Sequence, residues 1–181
     1  MREQECSATE LHPFRACQNN LRRPEAARVR DLDKTDRRIL QVLQEKGRIA
    51  NNELADIVGL APSSCLRRVR ALEESGIIEN YVAVLNAASI GKGLTVFVRV
   101  WLTSQSAETV DTFTAAVIDL PEIVECHLMA GDCDFLLRVV ASDLDAYRKF
   151  QIAHLTRIAG VQSVKSEIPL QKIKLTSALP L

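Results

Sequence analysis

The sequence predicts an α+β protein in two parts: a helix-turn-helix, winged-helix-like unit, followed by a ferredoxin-like βαββαβ unit. Three observations carry this. Between residues 33 and 76, apolar side chains recur at helical spacing in three short runs. The third run is entered through Gly59, Leu60, Ala61 and Pro62, a tight turn followed by a helix-starting proline. From residue 94 onward the order becomes strand, helix, strand, strand, helix, strand, with period-two runs where the strands fall.

The first helix follows from Asp33, which can cap it, and Asp36, an acid in the favourable first turn; Ile39, Leu40 and Leu43 form its apolar stripe and Gly47 ends it. In the second, Asn51 is the expected cap, and Leu54, Ala55 and Val58 face inward. The third runs from Pro62 to Ser75 and stops at Gly76. Residues 77–86, with Ile77, Ile78, Tyr81, Val82, Val84 and Leu85, read as a strand, and a linker with two glycines continues to Gly93. Strands are expected at 94–102, 123–129, 135–141 and 161–168. Helices are expected at 107–120, on Val110, Phe113, Val117 and Leu120, and after the cap Asp143, on Leu144, Tyr147, Phe150, His154 and Ile158. Gly131-Asp132 is a hairpin-turn pair. These elements divide the chain into a basic, disordered tail (1–30), a helix-turn-helix domain (31–80), a strand and linker (81–93), a ferredoxin-like domain (94–175) and a C-terminal tail (176–181). In the stretch from Arg15 to Arg30, Arg15, Arg22, Arg23, Arg28 and Arg30 are opposed only by Glu25, so a flexible arm touching DNA phosphate is the alternative to plain disorder.

The 181 residues carry zero formal net charge, so any affinity for nucleic acid needs a local patch. Five cysteines without a C-x-x-C pair, and three histidines, supply no zinc spacing. An odd cysteine count with no signal-peptide core fits a reducing, cytoplasmic setting, and no apolar run approaches the ~20 residues of a membrane helix. No Ser/His/Asp or Cys/His constellation, phosphate loop or metal cluster is visible, so neither an enzyme nor a cofactor is expected.

The third helix carries the chemistry. At about 100° per residue, Cys65, Val69 and Leu72 share one stripe and must pack on the other helices. Ser63, Arg67 and Arg70 then fall on the opposite face, flanked by Ser64 and Arg68. Small polar groups at a helix N-terminus with arginines one turn on suit a DNA major groove: serine bonds a base or phosphate, and arginine pairs bidentately with guanine. The plainer reading is a solvated, charged helix face on a protein-contact module; the Pro62-Ser63-Ser64 start and the clustering of three arginines on this helix argue against it.

Strand alternation adds a second argument. Val96, Val98, Val100, Val124, Cys126, Leu128, Phe135, Leu137 and Val139 make one sheet face, which two helices can cover. The other face places Phe97, Trp101, Met129 and Leu136 in water, beside Arg99, Glu125, His127 and Arg138. A patch of that size marks an interface, expected to be a sheet-to-sheet homodimer.

The run Leu32-Asp33-Lys34-Thr35-Asp36-Arg37-Arg38-Ile39-Leu40, then Gly47-Arg48-Ile49, Glu53-Leu54, Val58-Gly59-Leu60, Pro62, Cys65, Arg68-Val69, Leu72-Glu73, Gly76-Ile77-Ile78 and Tyr81, resembles the Lrp/AsnC (feast/famine) transcription regulators. So do Val124-Glu125-Cys126-His127, Gly131-Asp132-Cys133-Asp134-Phe135-Leu136-Leu137 and the ending Thr176-Ser177-Ala178-Leu179-Pro180-Leu181. The resemblance runs from about residue 31 to the end. It implies a sequence-specific regulator of double-stranded DNA, read by Ser63, Ser64, Arg67, Arg68 and Arg70. It implies also a ligand-sensing second domain, a dimer assembling to a tetramer or octamer, and control of amino-acid metabolism or transport from the cytoplasm and nucleoid. By itself the 130–134 turn is a hairpin and nothing more. The resemblance makes Gly131, Asp132 and Asp134 part of a pocket for a small effector, in this family usually an amino acid. Where this chain has Cys133 the family commonly has an aromatic, so the resemblance gives the effector class rather than the effector. Three alternatives share the pattern: an enzyme of the siroheme-decarboxylase type, a low-specificity architectural DNA binder, and a sensor with a vestigial DNA-binding unit.

Overall fold

A computed structural model describes residues 31–181. The expected basic tail at 1–30, with Cys6 and Cys17, lies outside the described residues.

Three helices open the described chain: α1 (Lys34–Glu45), α2 (Asn51–Val58) and α3 (Pro62–Glu74). Asp33 caps α1 as its pattern requires, its Oδ1 accepting the Asp36 N–H at 2.7 Å. Asn51 does not cap α2. The cap position belongs to Ala50, with no side-chain bond, and Asn51 instead donates from Nδ2 to the Pro62 carbonyl at 2.9 Å. Its amide thus ties the start of α2 to the start of α3, a use that nothing local in the sequence signals. Gly59 ends α2 in the left-handed region (φ 71°), where an L side chain is strained, and lets the chain turn into α3 within three residues. Pro62 takes the first position of α3. Ile39, Leu40, Val42, Leu54, Ala55, Cys65 and Leu72 close one apolar core, with Val69, Ile77 and Ile78 packed on its edge.

Residues 77–86 form no strand in the single chain. The pattern there is β-rich, but among the described residues no strand pairs with it, and a strand without a neighbour leaves its backbone donors and acceptors without ladder partners. Ile77 and Ile78 are drawn onto the helical core, while Val82, Val84 and Leu85 stay largely exposed.

The second part holds β1 (Leu94–Leu102), α4 (Ala107–Val117), β2 (Ile123–Leu128), β3 (Phe135–Ala141), α5 (Leu144–Ala153) and β4 (Val161–Glu167). The strands make one antiparallel sheet in the order β2-β3-β1-β4, the ferredoxin-like arrangement. Ser106 caps α4 and Asp143 caps α5. Val96, Val98, Val100, Leu137 and Val139 are fully buried on the helix-covered face, with Phe113 of α4 set against Phe135 at a ring-centroid distance of 4.4 Å. The alternation fails on β2. A bulge between Ile123 and Glu125 inserts Val124 as an extra residue, so Ile123 rather than Val124 enters the core opposite Val139. Cys126 and Leu128 resume the core-side register opposite Leu137 and Phe135, yet both are exposed, because β2 is the edge strand.

Candidate nucleic-acid interface and ligand loop

Cys65 and Leu72 of α3 are buried, which turns the opposite side of the helix outward. Ser63, Arg67 and Arg70 are exposed together there, and with Leu66, Ala71 and Glu74 they line an open depression of about 340 Å³. Ser64 is half-buried at the margin. The helix begins at this face, so its unpaired N–H groups and its dipole favour an anion at the same end as the two serines.

Arg68 is placed differently from its neighbours. Its Nη1 lies 2.7 Å from Asp33 Oδ2 and 2.7 Å from Asp36 Oδ1. Asp36 is buried, so this pair anchors α3 to the first turn of α1. The Asp36 backbone N–H and, after it, the Arg68 guanidinium hold the Asp33 carboxyl below the usual carboxylate range. The two carboxylates in turn raise Arg68. At the other end of α3, Tyr81 donates its phenol to Glu73 Oε1 at 3.0 Å. Burial, with the Glu73 carboxylate added, pushes this phenol up to about 12, so it stays a donor throughout the physiological range. Spacing placed Arg68 at the border of the exposed face; its partners 32 and 35 residues away left no local trace.

The second group of expected site residues sits where β2 passes to β3. The connection is longer than a two-residue hairpin: Leu128 and Phe135 end the paired strands, Met129 donates its N–H to the Asp134 carbonyl at 2.8 Å, and Gly131 does not take a positive φ. Gly131 and Asp132 are exposed at the tip, and a side chain on Gly131 would meet nothing within 4 Å. Asp134 is buried beneath them. Its Oδ2 accepts the Leu102 N–H and its Oδ1 the Gln105 amide, both at 2.7 Å, while its own N–H goes to the Val100 carbonyl at 3.0 Å. Asp134 therefore fastens the loop to the end of β1, and Cys133 is buried beside it.

Two further residues complete the loop's surroundings. Trp101 donates its indole N–H to the Asp132 carbonyl at 2.6 Å. Arg99 Nη1 lies 3.9 Å from Asp132 Oδ2, and Arg99 Nε 3.5 Å from Glu167 Oε2. The exposed Asp132 carboxylate beside the half-exposed Arg99 guanidinium offers one group for each charge of a zwitterion. On the same sheet face Arg138 Nη2 lies 2.7 Å from Glu125 Oε1 of the same chain. Among the described residues no group of three or more His, Cys, Asp or Glu could hold a metal ion, and no helix is long and apolar enough to cross a membrane.

Comparison with known proteins agrees with both parts. Residues 32–79 match the model of a winged helix-turn-helix DNA-binding family, and residues 95–179 that of the Lrp/AsnC ligand binding domain. The leucine-responsive regulatory protein of Salmonella typhimurium is 43% identical over 150 residues, covering 83% of this chain and 92% of that protein. The Escherichia coli K12 protein of the same name is 42% identical over the same span. A Neisseria meningitidis transcriptional regulator, solved as its L-Met complex, superposes with a TM-score of 0.80 at 41% identity, over 83% of this chain and 97% of that one. An AsnC family regulator from Agrobacterium tumefaciens gives 0.77 at 39% identity, over 82% and 96%.

Proposed function

The chain belongs to the Lrp/AsnC family of DNA-binding transcription regulators, and from that premise we propose that α3 reads an operator in the major groove while the 130–134 loop senses an amino acid. The observation that carries the proposal is the joint exposure of Ser63, Arg67 and Arg70 on one face of α3, opposite the buried Cys65 and Leu72. Ser63, Ser64 and the helix N-terminus meet phosphate or base, Arg67 and Arg70 reach base edges, and Arg68 stands at the border of the set.

In the effector site, Gly131 and Asp132 form the contact surface and Asp134 holds them in place. Asp132 takes the ligand's ammonium, and the loop N–H groups take its carboxylate. The L-Met complex of the Neisseria relative supports an amino acid as the ligand class. A homodimer, assembling further to a tetramer or octamer, fits the half-exposed sheet face of Phe97, Trp101, Leu136 and Val140 and the exposed Val82, Val84 and Leu85. Two recognition helices then meet half-sites about 34 Å apart or a multiple of it. The target genes serve amino-acid metabolism or transport, and the protein acts in the cytoplasm on the nucleoid.

The test is binding to the region upstream of the protein's own coding sequence, titrated with each of the twenty amino acids. Saturable binding that one amino acid shifts supports both halves. A steep salt slope with little preference between sequences replaces the operator reader with an architectural binder, and absence of binding even at low salt removes DNA from the account.

A further inference from the structure

We propose that Asp33, Asp36 and Arg68 form a brace that sets the DNA specificity of α3 by withholding Arg68 from phosphate. The proposal rests on the reading of α3 as the DNA-contacting helix. Arg68 is half-exposed and adjoins the exposed Arg67, about 100° round the helix from it, so a free guanidinium here would add a phosphate contact to any DNA sequence. It is not free in that sense. One nitrogen, Nη1, donates to two carboxylates at 2.7 Å each, the short end of charge-assisted geometry.

Asp33 does two jobs at once. Its Oδ1 caps α1 through the Asp36 N–H, and its Oδ2 holds Arg68. The side chain of Asp36 is only 11% exposed, so its carboxylate cannot follow Arg68 outward. The guanidinium is therefore pinned between a helix cap and a buried acid, and α3 is fixed to α1 in tilt and in rotation about its own axis. The charge count has the same consequence. The two carboxylates and the guanidinium together carry one net negative charge, so the brace itself contributes no general attraction for DNA. Specific binding then depends on Ser63, Arg67 and Arg70 arriving in register, which the brace secures.

Asp33→Asn isolates the effect, because asparagine caps a helix as well as aspartate does and the fold of α1 is retained. A plain electrostatic view predicts that removing an acid near DNA tightens every complex equally. The brace predicts a divergence. Affinity for unrelated DNA rises, and its salt slope steepens by part of the ~0.9 of a full phosphate contact, because Arg68 is loosened on the Asp33 side while Asp36 still holds the other. Affinity for an operator, obtained by selection from a random pool with the wild-type protein, does not rise with it. The ratio of the two falls by about tenfold.

Arg68→Gln should lower operator affinity without flattening the salt slope on unrelated DNA, and in that background Asp33→Asn should no longer steepen it. A slope flattened by about 0.9 in Arg68→Gln alone, as for loss of a phosphate contact, overturns the proposal. So does an unchanged specificity ratio in Asp33→Asn. The brace is also read without DNA, as the coupling between Asp33→Asn and Arg68→Gln in thermal melts. Additive melts overturn it. Coupled melts in a protein that selects no operator leave the brace standing and remove the DNA-reading role of α3 instead.

Discussion

Replacing Asp134 by alanine separates the structural from the ligand-binding share of the loop. The carboxylate accepts two bonds at 2.7 Å, from the Leu102 N–H and the Gln105 amide. Gln105 is exposed and can turn to water when its partner is removed. The Leu102 N–H cannot, because Leu102 is only 5% exposed. A buried donor left without a partner costs about 1–3 kcal/mol, and a bond to an ionised acceptor is worth about 1.5–3 kcal/mol. The two figures describe the same loss from opposite sides, so they are not summed, and Asp134→Ala is expected to cost about 2–3 kcal/mol. For a chain of this size that lowers Tm by roughly 5–10 °C. Asp134→Asn keeps one acceptor oxygen for Leu102 and should cost about 1 kcal/mol. Trp101 is the sole tryptophan and its indole bonds to the neighbouring Asp132 carbonyl, so its emission follows melting of this domain. A Tm for Asp134→Ala within about a degree of wild type, or equal losses for both variants, would refute the reasoning. Loss of the amino-acid response in Asp134→Asn, with melting nearly unchanged, would place that carboxylate in contact with the ligand as well.

Four further outcomes are expected. Arg67→Ala weakens operator binding by about 1–3 kcal/mol if it reads a base edge, measured by anisotropy titration; a loss equal on all sequences would mean phosphate contact instead. Phe113→Ala, at a fully buried position against Phe135, costs about 3–5 kcal/mol in urea unfolding followed at Trp101, and a loss under 1 kcal/mol would contradict the packing. Gly160→Ala destabilises through both strain and contact, since the residue has φ 86° and an added Cβ would lie 2.6 Å from Thr109 Cγ2; a neutral melt would show that Thr109 yields. The Ala146 N–H, and then the Ser142 hydroxyl, hold the Asp143 carboxyl below its ordinary value. Its cap therefore supports α5 fully above the unfolded carboxylate pKa and is lost as pH falls through the lower, folded one. Amide exchange in the first turn of α5 should accelerate across that acid window in wild type, and Asp143→Asn should abolish the step.

The fold was legible wherever the sequence carries a period or a cap. The three-helix core, the four strands and the caps Asp33 and Asp143 all follow from residues within one or two turns of each other. Two misreadings have a common cause. Residues 77–86 carry the composition of a strand, but a strand is made by its neighbour, and among the described residues none pairs with it. In β2 the alternation is broken by the bulge at Val124, which depends on how the strand meets β3 and leaves no mark in its own residue types.

The site residues divide along the same line. Ser63, Arg67 and Arg70 follow from helical spacing, Gly131 and Asp132 from the family resemblance, and each is exposed. Arg68 and Asp134 share the expected motifs, yet their side chains turn to partners about thirty residues away and hold the exposed residues in position. Arg99 and Trp101 were read only as members of a sheet face, although both touch the loop between β2 and β3. Local pattern identifies what a surface offers to a ligand. What fixes that surface in place is a contact between distant segments, which becomes visible only once the chain is folded. For this chain the division has a practical consequence. Substitutions at Arg67 or Asp132 should change what is bound and leave melting alone, whereas those at Arg68 or Asp134 should change melting and binding together. Measuring both quantities on the same variants assigns each residue to one class without any assumption about which operator or which amino acid is the natural one.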